Sequence, residues 1–352
     1  MTRLIDLDAN ATTRPLPEVI ETVARCLNDS PGNPGSRHGL GRKARQVLEA
    51  SRESIAAILG ADPEELIFTS GGTEANNLAI AGLARGSSRT LLLSPGEHPS
   101  NLEACRHLVQ KNWSLRYFPV DSSGRIRVDD LSVQDWSHAG LATAILAHNE
   151  TGVVQNVEPI AASCRQHGVP LHLDGVQAVG KIPVTFHDLD ATSLSFGAHK
   201  FHGPRGIGGL LLRRGVTLTP LQHGGHQEGG RRPGTEPVAL IAGLAKACSS
   251  LRSARHHFSA LRIAERRHMG DRLPPANIRQ ERPRGYEYAE SRLSRRRWRS
   301  ACWVHSIWTV SAVRHRKHLC QRFHGTGPSA SGDGNFSDVA KGFSFAFSLQ
   351  HQ

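Results

Sequence analysis

One lysine of the sequence, Lys200, follows a short apolar run and stands beside His199, in the stretch SFGAHKFHGPRGIGG. Because an ammonium group is rarely buried without a partner, a lysine at the end of a buried strand needs a chemical reason. One reason is a bond between the amine and a carbonyl cofactor, for which a lowered pKa makes the amine nucleophilic. The alternative is a surface lysine on a loop. A phosphate-binding loop is less well supported, because GPRGIGG lacks the Lys-Ser/Thr ending of a P-loop.

A second candidate, Asp174, also follows a short apolar run, in LHLDGVQAVGK, and Gln177 stands three residues further on. An acid at such a position could hold the proton of a pyridine nitrogen, which pyridoxal phosphate needs for its ring to accept electrons. The alternative is that Asp174 caps a turn or a helix.

Three further segments place polar residues after strand-like runs. SGGTEANN combines Gly72 with Thr73 at a predicted helix start, where backbone N–H groups and a hydroxyl can hold a phosphate, although Thr73 could be an ordinary helix cap. GEHPSN places His98 where an imidazole could lie over an aromatic cofactor, but the chain has 20 histidines and His98 could be a loop residue. AHNETG offers Asn149 either for a hydrogen bond to a ring hydroxyl or for a turn.

These residues need a scaffold that brings strand ends together. Residues 16–270 alternate between helical patterns, such as PEVIETVARCLND and GRKARQVLEASRESIAAILG, and short apolar runs bounded by Gly, Pro or polar residues. The apolar runs are ELIFTS, RTLLLS, LATAILA, PLHLDG, ATSLSFG and IGGLLLR. This alternation predicts an α/β domain with a mainly parallel sheet, whose ligands bind beyond the carboxyl ends of the strands. A further helix is expected from about Val238 to Met269.

The composition narrows the class of protein. The chain has 352 residues, 38% of them hydrophobic and 21% charged, as is typical of a soluble globular protein with one large and one smaller domain. No apolar run is long enough for a membrane helix and the start lacks a secretory signal, so a cytoplasmic protein without membrane partners is expected. The six cysteines are scattered without a C-x-x-C pair, which argues against a metal site and a disulfide framework.

The net charge of +12 is concentrated in the tail, and for this reason no nucleic-acid partner is expected. Residues 271–352 hold 14 Lys and Arg against 6 Asp and Glu, together with three of the five tryptophans. No helical or strand period is recognisable there. Three interpretations stay open: an RNA-binding tail, a poorly packed segment, and a product of translation in the wrong reading frame.

In their order along the chain, the segments resemble the cysteine desulfurases, which are pyridoxal-phosphate enzymes of the class V aminotransferase group, with selenocysteine lyases as close relatives. The matching segments are DANATTRPLPEV, GNPGSRHGLGRKA, IFTSGGTEANNLAI, EHPSN, NETGVVQ, HLDGVQAVGK, SFGAHKFHGPRGIGGLL and HGGHQEGGRRPGT, within about residues 6–270. The resemblance implies the α/β fold of PLP-dependent transferases (fold type I). Its large domain has a mainly parallel seven-stranded sheet between helices, and the small C-terminal α+β domain is expected to be incomplete or aberrant.

The resemblance also implies a role for each candidate residue. Lys200 bonds the aldehyde of the cofactor and moves the α-proton of the substrate, while His98 stacks on the ring. The other implied contacts are Asp174 at the pyridine nitrogen, Asn149 and Gln177 at the phenolic oxygen, Gly72, Thr73 and His199 at the phosphate, and Thr235 at the phosphate of the neighbouring subunit of a homodimer. The stretches Asn10 to Thr12 and Asn33 to His38 resemble those that border the substrate entrance.

The implied activity is the conversion of L-cysteine to L-alanine, with the sulfur passed to an enzyme cysteine as a persulfide for iron–sulfur cluster assembly or other sulfur compounds. The implied partner is a sulfur-acceptor or iron–sulfur scaffold protein. Two alternatives stay open. One is a selenocysteine lyase or another cysteine or sulfinate lyase, and the other is an inactive chain that binds pyridoxal phosphate.

The sequence departs from the family pattern at several single residues, of which Gly197 is one, and in its tail. Gly197 stands where many relatives carry a phosphate-binding serine. The tail lacks a recognisable Gly/Ser-rich loop with the sulfur-accepting cysteine, which stays unidentified; Cys320, in RKHLCQRFHG, is the candidate. Because the match fades near residue 270 and returns faintly near residue 337, compensating frameshifts are a hypothesis for the tail. The expected domains are an N-terminal segment of the small domain (1–15), a cofactor-binding large domain (16–255) and a degenerate small domain or aberrant tail (256–352).

Overall fold

A computed structural model of the chain describes residues 8–84, 89–132 and 134–253. The α-helices of this part are α1 (Pro17–Asp29), α2 (Gly39–Leu59), α3 (Gly72–Leu83), α4 (Pro99–Val109), α5 (Glu158–Gln166) and α6 (Val238–Ser253). The strands are β1 (Leu66–Thr69), β2 (Thr90–Leu93), β3 (Ser114–Tyr117), β4 (Ala139–Ile145), β5 (Leu171–Asp174), β6 (Ser193–Gly197) and β7 (Gly208–Leu212). None of the described helices is both long and apolar enough to cross a membrane.

The seven strands form one sheet in the order β1-β7-β6-β5-β4-β2-β3. Strand β7 runs antiparallel to both of its neighbours, and the other pairs are parallel. The carboxyl ends of all strands except β7 therefore meet at the same edge of the sheet. This confirms the predicted α/β fold with a seven-stranded, mainly parallel sheet, and it makes that edge the place to look for a site.

The sheet is covered on both faces. Along β2, Leu92 packs in the larger core cluster with residues of α2, α5 and α6, while Leu91 and Leu93 pack on the opposite face with residues of α3 and α4. Strand β7 alternates in the same way, with Leu211 on the first face and Leu210 on the second. Burial on both faces explains why these strands are continuous apolar runs rather than alternating ones.

Most predicted elements match the structure closely. The segment PEVIETVARCLND forms α1 without a difference in its bounds, and the helix expected to open on Thr73 begins one residue earlier, at Gly72. Three elements were not predicted, namely α4, α5 and β3. Strand β3 is mostly exposed at the edge of the sheet, and its sequence SLRY lacks an apolar run.

The C-terminal predictions fall outside the described residues. Helix α6 begins at Val238 as expected and is described as far as Ser253, whereas the expected end at Met269 is not. Cys320 and the basic residues 271–352 also lie outside, so the proposed frameshifts and the three-part domain division stay predictions.

Candidate active site

Lys200 lies just beyond the carboxyl end of β6, in a short 3₁₀ turn formed by residues 198–200. Its Nζ atom donates hydrogen bonds to the carbonyl oxygens of Asn10 and Ala11, both at 2.9 Å. Burial lowers the pKa of the amine and outweighs the opposing effect of the carboxylates Asp174 and Asp8. A lowered pKa enlarges the neutral fraction of a lysine, which is the form that attacks a carbonyl group.

The N-terminal segment brings several predicted residues to Lys200. Besides Lys200, the backbone carbonyl of Asn10 accepts a hydrogen bond from the side chain of Gln177 at 3.0 Å. The amide of Asn10 donates to the carbonyl oxygen of Asn149 at 3.3 Å. Gln177 and Asn149, which the resemblance assigns to one oxygen of the cofactor, therefore flank the same short segment.

A second lysine, Lys181, lies in this group and was not predicted as a site residue. Its Nζ atom donates to Oδ1 of Asn10 at 2.9 Å and to Oε1 of Gln177. Burial, assisted by the positive charge of Lys200, lowers the pKa of Lys181 to about 8. Because Lys181 occupies the amide oxygen of Gln177, the NH₂ group of Gln177 is left to donate to Asn10. Lys181 thereby determines the orientation of the Gln177 amide.

Asp174 ends β5 and has only 2% of its surface exposed. Its Oδ1 accepts the backbone N–H of Val176 at 2.9 Å, and its Oδ2 accepts the amide groups of Asn76 at 2.8 Å and Asn101 at 3.2 Å. Burial raises the pKa of Asp174, although these hydrogen bonds and the nearby His98 act against the shift. A protonated ring nitrogen at this carboxylate would offset the cost of its buried charge.

Asn76, on α3, is oriented by a buried histidine behind it. The Nε2 atom of His172 lies 3.1 Å from Oδ1 of Asn76, and its Nδ1 lies 2.8 Å from Oγ of Ser193. Burial lowers the pKa of His172 to about 3, so the ring is neutral. A neutral ring that donates from Nε2 directs the oxygen of Asn76 toward His172 and the NH₂ group toward Asp174.

His98 is exposed and is connected to the same hydrogen-bond network. It precedes α4 as the N-cap, and its Nδ1 accepts the backbone N–H of Ser100 at 3.1 Å. The Ser100 hydroxyl lies 2.8 Å from the same nitrogen and accepts a hydrogen bond from Asn76, also at 2.8 Å. The imidazole is thereby held at the carboxyl edge, near Asp174, with its Nδ1 atom engaged.

The start of α3 and the end of β6 form a cradle that suits an anion. Gly71 precedes the helix with φ 155°, a conformation that favours glycine, and no side chain caps the first turn. A Cβ atom on Gly72 would lie 2.4 Å from Cγ2 of Val176, so the close approach requires glycine there. A Cβ atom on Gly197 would lie 3.4 Å from the Gly72 nitrogen and 3.6 Å from Cδ2 of His199. Backbone N–H groups at a helix start attract phosphate.

The two side chains predicted for the phosphate differ in their surroundings. Thr73 is exposed in the first turn of α3. His199 is half-buried, and its Nδ1 lies 3.2 Å from the hydroxyl of Thr12. Burial lowers the pKa of His199, as do the positive charges of Lys200, Arg205 and Lys181. An anion placed here would therefore lie near the side chains of three basic residues.

Thr235 is exposed on the loop between β7 and α6. The loop is fastened by Glu228, whose carboxylate pairs with Arg52 at 2.6 Å and accepts the backbone N–H of Phe68 at 3.0 Å. A cavity of about 490 Å³ lies beside this ion pair and not at Lys200. Gly35, from the stretch predicted to border the entrance, lines that cavity together with Glu228.

The described cysteines are poor thiolate candidates. Cys26, Cys105, Cys164 and Cys248 are all free and buried. Burial raises the pKa of Cys105, Cys164 and Cys248 to about 12, and it also raises that of Cys26. Since the thiolate is the reactive form, none of these four is suited to accept sulfur.

These observations fit pyridoxal phosphate. The buried carboxylate of Asp174 suits its ring nitrogen, the amine of Lys200 suits its aldehyde, and the cradle at Gly72 suits its phosphate. Three chemically distinct groups at one sheet edge match the three ends of this cofactor.

The comparisons with known proteins agree with this fit. The profile of the family described as "Aminotransferase class-V" matches residues 5–270. A cysteine desulfurase of Nostoc sp. (strain PCC 7120) is 43% identical over 246 residues, which are 69% of this chain and 62% of the Nostoc protein. A cysteine desulfurase of Cereibacter sphaeroides is 39% identical over 278 residues, 77% of this chain and 72% of that protein. The chain thus spans less than two thirds of the Nostoc relative.

Solved structures of related proteins are also similar to this chain. A NifS-like protein superposes with a TM-score of 0.68 at 36% identity, covering 74% of this chain and 75% of that one. The structure titled "SspA in complex with cysteine" has a TM-score of 0.67 at 36% identity and covers 70% of this chain and 72% of its own. The similarity therefore covers both the fold and the sequence of most of this chain.

Proposed function

Because the chain belongs to the class-V aminotransferase family, we propose that it is a pyridoxal-phosphate enzyme that removes sulfur from L-cysteine and releases L-alanine. The observation that carries the proposal is the placement of Lys200, Asp174 and the Gly72 cradle at one edge of the sheet. The cysteine desulfurases among the relatives favour this reaction over a selenocysteine lyase, another lyase or an inactive chain.

Each residue has a defined task in this reaction. When bound, the cofactor supplies a ring that takes up the electron pair left by the α-proton of the substrate. Asp174 keeps the ring nitrogen protonated, and the amine of Lys200 holds the aldehyde end. Lys200 then accepts the α-proton, for which its lowered pKa suits it. The side chain of His98 covers the ring.

The remaining contacts orient the cofactor. The N–H groups at Gly72 and Thr73, together with His199, hold the phosphate. Asn149 and Gln177 direct hydrogen bonds to the ring oxygen, and Lys181 supports this by holding the oxygen of Gln177.

The sulfur acceptor is expected outside the described residues. Because Cys26, Cys105, Cys164 and Cys248 are buried with raised pKa values, we assign persulfide formation to a cysteine of the tail, with Cys320 as the candidate. The sulfur would then pass to an acceptor or iron–sulfur scaffold protein.

Four free, buried thiols also suit a reducing compartment, and we propose the cytoplasm.

We also propose a homodimer. Thr235 is exposed, and its loop is fixed by the pair formed by Arg52 and Glu228. A loop that is fastened in this way and presents an exposed hydroxyl is suited to reach the phosphate of a second copy.

The activity is tested by incubating the full chain with pyridoxal phosphate, a thiol reductant and either L-cysteine or L-selenocysteine. Alanine and sulfide from cysteine are expected, and Lys200→Ala should abolish both. Alanine from selenocysteine alone would replace the proposal with a selenocysteine lyase. A chain that binds the cofactor but releases no alanine from either substrate would be inactive, and the proposed function would be wrong.

A further inference from the structure

A buried carboxyl group, Glu97, lies behind the predicted ring-nitrogen site and has no task in the proposed reaction. It lies between β2 and α4 and has 9% of its surface exposed. Its Oε1 accepts the backbone N–H of Ile145 at 2.7 Å, and its Oε2 accepts the amide of Asn101 at 2.6 Å. The same Nδ2 atom of Asn101 donates to Asp174 at 3.2 Å. Two buried carboxyl groups therefore share one amide.

Two adjacent buried carboxyl groups cannot both be ionised at low cost, so one retains a proton at neutral pH. Asp174 is stabilised as an anion by three N–H donors, from Val176, Asn76 and Asn101. Glu97 has two such donors. In the described part of the chain, Glu97 forms no ion pair with a lysine, arginine or histidine. The proton therefore belongs on Glu97.

We propose that Glu97 is a positioning residue that stays protonated at neutral pH and anchors Asn101, so that Asp174 is the single negative charge facing the ring nitrogen of the cofactor. This inference rests on the proposed function, because it assigns a role behind the same site. A protonated carboxyl group can still accept the N–H groups of Asn101 and Ile145, so the observed hydrogen bonds are retained. An ionised Glu97 would add a second charge behind Asp174.

The pKa of Glu97 agrees with the geometry. Burial, reinforced by the charge of Asp174, raises it from its ordinary value of 4.5 to about 8, against the hydrogen bonds from Asn101 and Ile145. Between about pH 4.5 and pH 8, the folded protein thus holds a proton that the unfolded chain has already released. The stabilising contribution of Glu97 is therefore complete below this window and is lost as the pH rises through it.

The other titratable groups around Glu97 determine the controls. Asp174 on β5 and Cys105 on α4 interact with its charge, and His98 is its neighbour in sequence. The pKa of Cys105 is about 12, outside the window. The pKa of Lys181 is lowered to about 8, which is the upper end of this window. Lys181→Gln is therefore the matched control.

The test compares the full-length wild type with Glu97→Gln, which retains the size and a hydrogen-bonding head group. Infrared difference spectra of the cofactor-free proteins should show the carbonyl band of one protonated carboxyl group in the wild type at pH 7. The band should be missing in Glu97→Gln, and it should disappear near pH 8 in the wild type and in Lys181→Gln. The melting temperature of Glu97→Gln relative to wild type should rise between pH 5 and pH 8.

Cofactor binding completes the test. At pH 6.5 Glu97→Gln should bind pyridoxal phosphate more tightly than Glu97→Ala, because its amide oxygen still accepts one of the two N–H groups that Glu97 accepts. A missing infrared band at pH 7, or an affinity of Glu97→Gln no higher than that of Glu97→Ala, would overturn the inference even if the wild type binds the cofactor. A wild type that shows the band but binds no cofactor would instead refute the proposed function.

Discussion

The two ends of the candidate site are built in different ways. At the ring-nitrogen end, Asp174 is buried and held by side chains from α3 and α4, and His172 and Glu97 fix those side chains from behind. At the phosphate end, the groups are backbone N–H groups and exposed or half-buried side chains such as Thr73.

The ring-nitrogen end is preorganised within one chain, whereas the phosphate end depends on a further contact. The buried network is formed within one chain, so it can hold a charge in a fixed place before a ligand binds. The phosphate cradle instead offers a shape and a positive surrounding, and by our proposal it is completed by Thr235 of a second copy. Substitutions at the ring-nitrogen end should therefore weaken cofactor binding strongly. Substitutions at the phosphate end should change it by smaller, graded amounts.

The largest effect is expected from Asp174→Asn, which removes the charge with little change in shape. Since loss of one partner of a buried charge pair costs about 2–5 kcal/mol, the affinity for pyridoxal phosphate should fall at least ~30-fold. Fluorescence titration measures the affinity, and Asp188→Asn, at an exposed position, is the control. An affinity within about threefold of wild type would show that the buried network does not hold the ring nitrogen.

A gain of intermediate size is expected from Gly197→Ser. The backbone at Gly197 has φ −133°, which any residue adopts, and its Cβ would point between the Gly72 nitrogen and His199. A hydroxyl there adds a hydrogen bond to a charged phosphate, worth about 1.5 kcal/mol or roughly a tenfold gain in affinity. Gly197→Ala adds the carbon without the hydroxyl, and equal affinities for the two variants would contradict the cradle.

The smallest effect is expected from Thr235→Ala. Loss of one hydroxyl contact costs about 1 kcal/mol, or roughly fivefold in cofactor affinity, and only at protein concentrations at which the dimer is present. Affinity measured together with sedimentation at two concentrations tests this, with the exposed Thr219→Ala as control. A loss that is the same in the monomer would show that Thr235 acts within its own chain.

The sequence predicted the parts of the site that follow strand ends. Lys200 and Asp174 each come directly after an apolar run, and the parallel sheet places both at one edge. A local pattern was sufficient here because the sheet topology determines the rest.

The supporting residues could not be predicted in the same way. Asn76 and Asn101 lie 98 and 73 residues before Asp174 along the chain, and nothing in the local sequence joins them to it. Helix α4, which carries Asn101, was not predicted, and GEHPSN was interpreted only for the role of His98. The contact of Asn10 with Lys200 spans 190 residues and depends on tertiary packing. GEHPSN did contain one signal, a glutamate directly before the candidate histidine.

The most direct test of the central claim is the visible absorbance of the full chain with pyridoxal phosphate, recorded for the wild type, Lys200→Ala and Lys181→Ala. Both lysines lie in the same site with lowered pKa values, but only Lys200 directly follows β6 at the sheet edge. We predict a visible band in the wild type that shifts on addition of cysteine, persists in Lys181→Ala and is lost in Lys200→Ala. A band that survives in Lys200→Ala, or a wild type without one, would contradict it.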